Sequence, residues 1–256
     1  MTTVVAAPGR LGWAFWTFVG LMSLLTILFT ALGIWQINRL AWKEGLIAEV
    51  SARLTQPPYD FPAPGHWSND ELAPFPYHPV RVSGHFLPEK TTFVFTSLAD
   101  AKGKYSGPGY WVVTPLVADT GGTVFVNRGF IPQEQRPAFA AGQKVPPGEQ
   151  TVTGIAVEPA AAGPFTPAVD KTNFVAFQMD PTVLATLGDV EGPIFPLSID
   201  APAGPPGALP QGGETVVDFP NNHLGYAFTW FGFAALTPCL LAFWVWRRIR
   251  PKAAGP

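Results

Sequence analysis

The chain has 256 residues, 47% of them hydrophobic and 13% charged, with a net charge of −2 and a mean hydropathy of +0.19. A soluble domain carries about 25% charged residues, so this composition excludes a wholly soluble protein and points to membrane spans joined to a sizeable polar part. The acidic balance excludes nucleic acid as a partner, and the single cysteine, Cys239, excludes an internal disulfide framework, a thiolate copper carrier, a thiol oxidoreductase and covalent c-type haem.

Residues 11–38 form an uncharged run bounded by Arg10 and Arg39, with Trp13, Trp16 and Trp35 near its ends. The run is far longer than the about 7 to 15 residues of a signal-peptide core, so it is expected to be a retained transmembrane helix. Its helical pattern continues at the interface to about residue 54, through GIWQINRLAWKEGLIAEVSARL. On that helix Trp35, Arg39 and Trp42 share one face, with Gln36 and Lys43 beside it. Two readings stand side by side: Arg39 and Lys43 snorkel to lipid phosphates, or the planar fork of Arg39 pairs with a ligand carboxylate at the same depth.

The domain expected over residues 55–222 opens with seven prolines between Pro57 and Pro79, which rule out a regular helix or a central strand there. Strands are expected at Val80–Phe86, Thr92–Ser97, Tyr110–Val117, Thr123–Phe130, Thr151–Val157, Ile194–Ile199 and Glu214–Asp218, from alternation or β-rich composition between Gly and Pro turns. Asp180 as N-cap and Pro181 at the first position predict a short helix over Pro181–Leu187. The expected architecture is a mainly-β extracytoplasmic domain, an antiparallel sheet or partly closed barrel with minor helix, flanked by two transmembrane helices. Ala201–Gly213 is too rich in Pro and Gly for an element and is expected to lead back to the membrane.

No GxxxxGK[ST], HExxH or GxSxG occurs, so no catalytic residue is assigned and an enzyme is not expected. His66, His78 and His85 lack paired metal-ligand spacing and are expected on the surface or in loops. In Asn127-Arg128-Gly129, a bend held by Gly129 and by hydrogen bonds from Asn127 is expected.

Residues 224–246 form the second expected span, and a basic tail, 247–256, follows it. At helical spacing His223, Tyr226, Ala227 and Trp230 fall on one face, so an imidazole stands above two aromatic rings where water gives way to lipid. One reading makes this an interfacial polar residue above an aromatic belt, with Asn221 or Asn222 capping the helix. The other makes it a face for a flat, apolar cofactor held by one axial nitrogen. Cys239 is expected among lipid-facing or helix-facing side chains.

All eighteen acidic residues and nine basic ones lie between Glu44 and Asp218, while Arg247, Arg248, Arg250 and Lys252 follow the second span. Basic residues beside spans stay on the cytoplasmic side. Both termini are therefore expected in the cytoplasm and the middle domain outside, in the periplasm of a bacterium whose inner membrane holds the spans.

Four motifs then stand in order: GIWQxxRxxWK at Gly33–Lys43, WVVTPL at Trp111–Leu116, VNRGFIP at Val126–Pro132 and NNHLGYAFTWFG at Asn221–Gly232. Together they resemble the surfeit-locus-one family of cytochrome c oxidase assembly proteins, over nearly the whole chain. Where relatives carry a WxxxD-like segment, this chain reads Ala176-Phe177-Gln178-Met179-Asp180. The resemblance implies a role in biogenesis of the largest subunit of a haem-copper oxidase, with haem a held transiently and non-covalently, and with haem a synthase as a further partner. Carried onto this chain, the histidine of NNHL is His223, the implied iron ligand. Tyr226, Trp230, Trp35 and Arg39 extend that site by their position on the two stripes. The alternatives are a haem-independent scaffold for the oxidase subunit and, least favoured, a haem-modifying membrane enzyme.

Overall fold

The computed structural model describes residues 12–215 and 221–249, which divide into two compact units at Ala48/Glu49 and Val217/Asp218. The expectations for Leu11, for residues 216–218 of the last strand and for Arg250 and Lys252 fall outside the described residues.

The first unit is a pair of helices. α1 spans Trp13–Arg53, its last turn belonging to the second unit, and α4 spans His223–Ile249. Both are long and apolar enough to cross a membrane. Their large apolar side chains face outward, Ile27 at 66% exposure and Phe228 at 72%, as suits contact with lipid rather than the core of a soluble protein. Four threonine hydroxyls within the spans are satisfied locally: Thr26, Thr30, Thr229 and Thr237 each donate to the carbonyl four residues back, which spares those donors exposure to hydrocarbon. Cys239 is exposed on α4.

The two helices run antiparallel and touch along their length. Trp244 lies against Phe15 and Phe18 with ring centroids 5.3 and 4.5 Å away. Phe29 stacks on Trp230 at 5.8 Å and meets Phe233 at 5.5 Å. Gly33 lies against the Phe231 ring, so close that a Cβ there would fall 2.6 Å from a ring carbon.

The second unit is built on an eight-stranded sheet. Its strands are β1 (Tyr59–Asp60), β2 (Pro79–Phe86), β3 (Thr92–Leu98), β4 (Gly107–Ala118), β5 (Thr123–Pro132), β6 (Glu149–Val157), β7 (Val175–Ala176) and β8 (Ile194–Asp200), with the one-turn helix α2 (Asn69–Leu72) after β1 and α3 (Pro181–Gly188) before β8. The order is β1-β2-β6-β8-β5-β4-β3-β7, and β2 also pairs with β4. That extra pairing, Gly84–Phe86 against Leu116–Ala118, closes β2, β6, β8, β5 and β4 into a five-stranded barrel. The sheet is mixed: β1–β2, β3–β7 and β5–β8 are parallel, the other pairs antiparallel.

Alternation explains the core. Val80 and Val82, Leu116, Val124 and Val126, and Phe195, Leu197 and Ile199 point inward from successive strands. β5 has residues buried on both faces, because Phe125 projects to the outside against Leu184 and Leu187 of α3. Asp180 caps α3 through Oδ1, which accepts from Thr182 N at 2.8 Å and Val183 N at 3.4 Å.

The proline-rich entry holds two departures from expectation. Ser68 caps α2, its hydroxyl accepting from Glu71 N at 3.4 Å and donating to Glu71 Oε2 at 2.7 Å, and this supports the single turn of α2. His78 is not a surface residue: it is 2% exposed and its ring stacks on Tyr59 at 3.6 Å. The parallel pairing of Tyr59 with Val80 delivers Tyr59 to that ring, and the nitrogens of His78 lie 2.9 Å from Pro79 O and 3.0 Å from Gln56 Oε1. His66 and His85 are exposed.

The return segment after β8 has no regular element, as its Pro and Gly content requires, but it is pinned. Gln211 bridges Phe130 through paired backbone bonds of 2.8 and 2.9 Å. Its side chain accepts from Tyr105 N and donates to Tyr105 O. The buried Glu214 carboxylate accepts from Lys102 N at 2.8 Å, Gly103 N at 2.7 Å and Gln211 Nε2 at 2.9 Å. Residues 214–215 are not strand.

Candidate functional site: the His223 end of the helix pair

α4 begins at His223 because the first intrahelical bond runs from Tyr226 N to Asn222 O, 3.3 Å. From there the inter-helix face follows the spacing i, i+4, i+7: His223, Ala227 and Trp230. Ala227 is buried, Trp230 is half-buried on Phe29 and His223 is half-buried. Asn221 Oδ1 is buried and has no hydrogen-bond partner among the described residues.

His223 Nδ1 lies 2.8 Å from Oε1 of Gln36, which is 7% exposed on the facing side of α1. No described residue hydrogen-bonds Nε2. The contact lies at one end of the aromatic ladder and the Phe15–Trp244 stack at the other, twenty-one residues away on each helix. At a rise of about 1.5 Å per residue the ladder is about 32 Å long, close to the about 30 Å of a bilayer's hydrocarbon core. A ladder of that length crossing the hydrocarbon core would hold the imidazole at one of its boundaries.

The structure brings together only part of the sequence-derived set. Trp230 is on the inter-helix face with His223. Tyr226 is exposed beside it. Trp35 is 55% exposed, and Arg39 stacks its guanidinium on Trp42 at 3.9 Å. The stripe of Trp35, Arg39 and Trp42 therefore exists, but it lies to one side of the contact, and the α1 residue that meets His223 is Gln36. Stacking occupies the guanidinium face of Arg39 and leaves its in-plane donors directed along the edge, the geometry a carboxylate needs.

The donor chemistry fits a porphyrin iron. Nδ1 is engaged, Nε2 carries no bond from a described residue, and the flank of α4 is aromatic. Among the described residues no group of three or more His, Cys, Asp or Glu is gathered as a metal site.

The Asn127-Arg128-Gly129 bend is structural. Asn127 Oδ1 accepts from Gly129 N at 3.1 Å, and Asn127 Nδ2 donates to Asp200 Oδ1 at 2.9 Å. Gly129 has φ +127°, and a Cβ there would fall 2.4 Å from the Gln211 backbone. Burial pushes the Asp200 carboxyl above its ordinary range, against the hydrogen bonds from Asn127 and Thr215. Burial also lowers the Arg128 guanidinium, whose Nη2 donates to Lys144 O at 2.5 Å.

Comparison with known proteins bears out the resemblance. A family model described as the SURF1 family matches residues 23–235. A SURF1-like protein of Monosiga brevicollis is 34% identical over 261 residues, covering 96% of this chain and 92% of that protein. Surfeit locus protein 1 of Rattus norvegicus is 34% identical over 219 residues, covering 82% of this chain and 69% of that protein. A SURF1-like protein of the bacterium Rickettsia bellii is 29% identical over 211 residues, covering 82% and 83%.

Proposed function

This chain belongs to the SURF1 family, and from that premise we propose that it is an assembly factor for a haem-copper cytochrome oxidase which holds haem a through His223 for insertion into the largest oxidase subunit. The observation that carries the reading is the half-buried imidazole at the boundary end of a packed helix pair, with Nε2 bonded by no described residue. Haem a is the cargo, and its long apolar tail and two carboxylates suit a site where lipid meets water. Trp230 and the exposed Tyr226 offer ring surface to the macrocycle, and Arg39 offers its fork to a propionate. Trp35 adds apolar surface on the same side of α1 as Arg39.

A carrier must also let go. One imidazole at a half-exposed site binds iron less firmly than two buried axial ligands, and that favours transfer to the oxidase subunit. In the proposed topology the Arg247 and Arg248 end of α4 is cytoplasmic by the positive-inside rule, in a bacterial inner membrane. The barrel domain and His223 then lie on the opposite, periplasmic side. The barrel would dock the oxidase subunit and, during loading, haem a synthase.

Haem a titration of the purified full-length protein tests this. Wild type is expected to give a Soret shift that His223→Ala abolishes. Identical spectra for the two, with the oxidase subunit still co-purifying, would replace the carrier with a haem-independent scaffold.

A further inference from the structure

The inference rests on the reading of His223 as the iron donor and concerns the residue that prepares it. Neutral imidazole carries one proton on two nitrogens, and only the bare nitrogen can bind iron, so whichever group bonds the first nitrogen selects the second as donor. Gln36 Oε1 is an acceptor with no proton to give. Standing 2.8 Å from Nδ1, it requires Nδ1 to carry the hydrogen, and Nε2 then holds the lone pair. Gln36 is buried, three residues beyond Gly33, whose missing side chain lets α4 approach α1 at this level. A polar bond in such surroundings is shielded from competing water, so its preference for one tautomer is strong.

We propose that Gln36 is a positioning residue: its side-chain carbonyl holds His223 in the Nδ1-protonated tautomer with the ring plane fixed, so that Nε2 is presented to a porphyrin iron. The alternative amide orientation would place an NH2 against Nδ1, drive the proton to Nε2 and abolish the donor. The GIWQ and NNHL motifs, 187 residues apart at Gln36 and His223, thereby act as one unit.

The first readout needs no haem. The full chain in lipid nanodiscs, labelled with 15N in its histidine rings, is compared with His223→Ala to identify the His223 signals. Wild type is expected to show a protonated Nδ1 and a bare Nε2, Gln36→Leu a mixture of tautomers, and Gln36→Glu the wild-type tautomer. Haem a titration supplies the second readout. Gln36→Leu is expected to weaken binding about 10- to 100-fold, the usual effect of removing the partner of a ligating histidine. Gln36→Glu should bind within a few-fold of wild type and raise the iron–histidine stretching frequency of the ferrous complex, because a carboxylate draws the Nδ1 proton harder. A proton found on Nε2 of wild-type His223 overturns the proposal without any variant. A folded Gln36→Leu that equals wild type in affinity and in that vibration overturns it too, while leaving the carrier reading intact. Wild-type and His223→Ala spectra that coincide overturn the carrier reading itself, and with it any iron-directed role for Gln36, whatever the tautomer.

Discussion

Gly33 of α1 and Phe231 of α4 are in direct contact, the ring occupying the space where any other residue at position 33 would place its Cβ, 2.6 Å from the nearest ring carbon. Hydrophobic driving force between helices is absent in lipid, and close packing at small residues takes its place. On α1, Gly33 stands between Phe29, which stacks on Trp230, and Gln36, which bonds His223, so the close approach at Gly33 bears on how near the imidazole comes to α1.

Gly33→Ala is expected to loosen the pair. The alanine gains about 1 kcal/mol of helix preference, against overpacking of about 1–3 kcal/mol, and the net effect is a loss of up to about 2 kcal/mol. Gly33→Val, larger and β-branched, should be worse. Unfolding in mixed micelles of rising SDS fraction measures both, and Phe231→Ala in the same chain should recover much of the loss, as an interaction energy in a double-mutant cycle.

Gly84→Ala is expected to open the barrel. A Cβ there would meet Val117 O at 2.0 Å and Leu116 Cδ2 at 2.9 Å, at the β2–β4 pairing that completes the ring of strands. Backbone cannot yield as a side chain can, so a cost above about 3 kcal/mol is expected. Amide exchange at Leu116–Ala118 should accelerate more than exchange in β5.

Asp200→Asn is expected to stabilise the domain at neutral pH. Burial raises the folded-state pKa of Asp200 above its unfolded value, so the native state binds the proton more readily. Its contribution is therefore most favourable below the unfolded pKa and is lost as pH rises through the folded one. The amide keeps an acceptor for Asn127 Nδ2 without the buried charge. Denaturation midpoints are expected to rise at pH 7, and the stability of the variant should fall less than that of wild type as pH rises above the unfolded carboxyl range.

Glu214→Gln should release the return segment. The two carboxylate oxygens accept from Lys102 N and Gly103 N, and an amide would turn an NH2 against one of them in a buried site. A loss of about 1–3 kcal/mol is expected. Limited proteolysis within residues 203–210 should be faster than in wild type.

The two spans, the six longer strands and α3 were legible because each is written in local order, whereas the two-residue strands β1 and β7 were not expected and the strand expected from Glu214 is not strand at 214–215. Uninterrupted apolar length, alternation between Gly and Pro turns, and the Asp180-Pro181 start act within a few residues of the chain. The bend at Asn127 and Gly129 was legible for the same reason. The burial of His78 was not, since its partner Tyr59 reaches it through a parallel strand pairing that no local pattern encodes. Nor was the latch at Gln211 and Glu214, whose acceptors serve backbone amides more than a hundred residues earlier.

By itself the sequence determined which segments are apolar, which alternate, and that His223 stands with Ala227 and Trp230 on one side of a helix. Only the tertiary structure decided that Gln36, and not Arg39, meets the imidazole, although the two lie only about 60° apart around α1. Both helices are apolar on nearly every side, so their periodicity does not mark the face that meets the partner. Side-chain shape at Gly33, Phe29 and Phe231 selects that face, and shape is expressed only when the two helices pack.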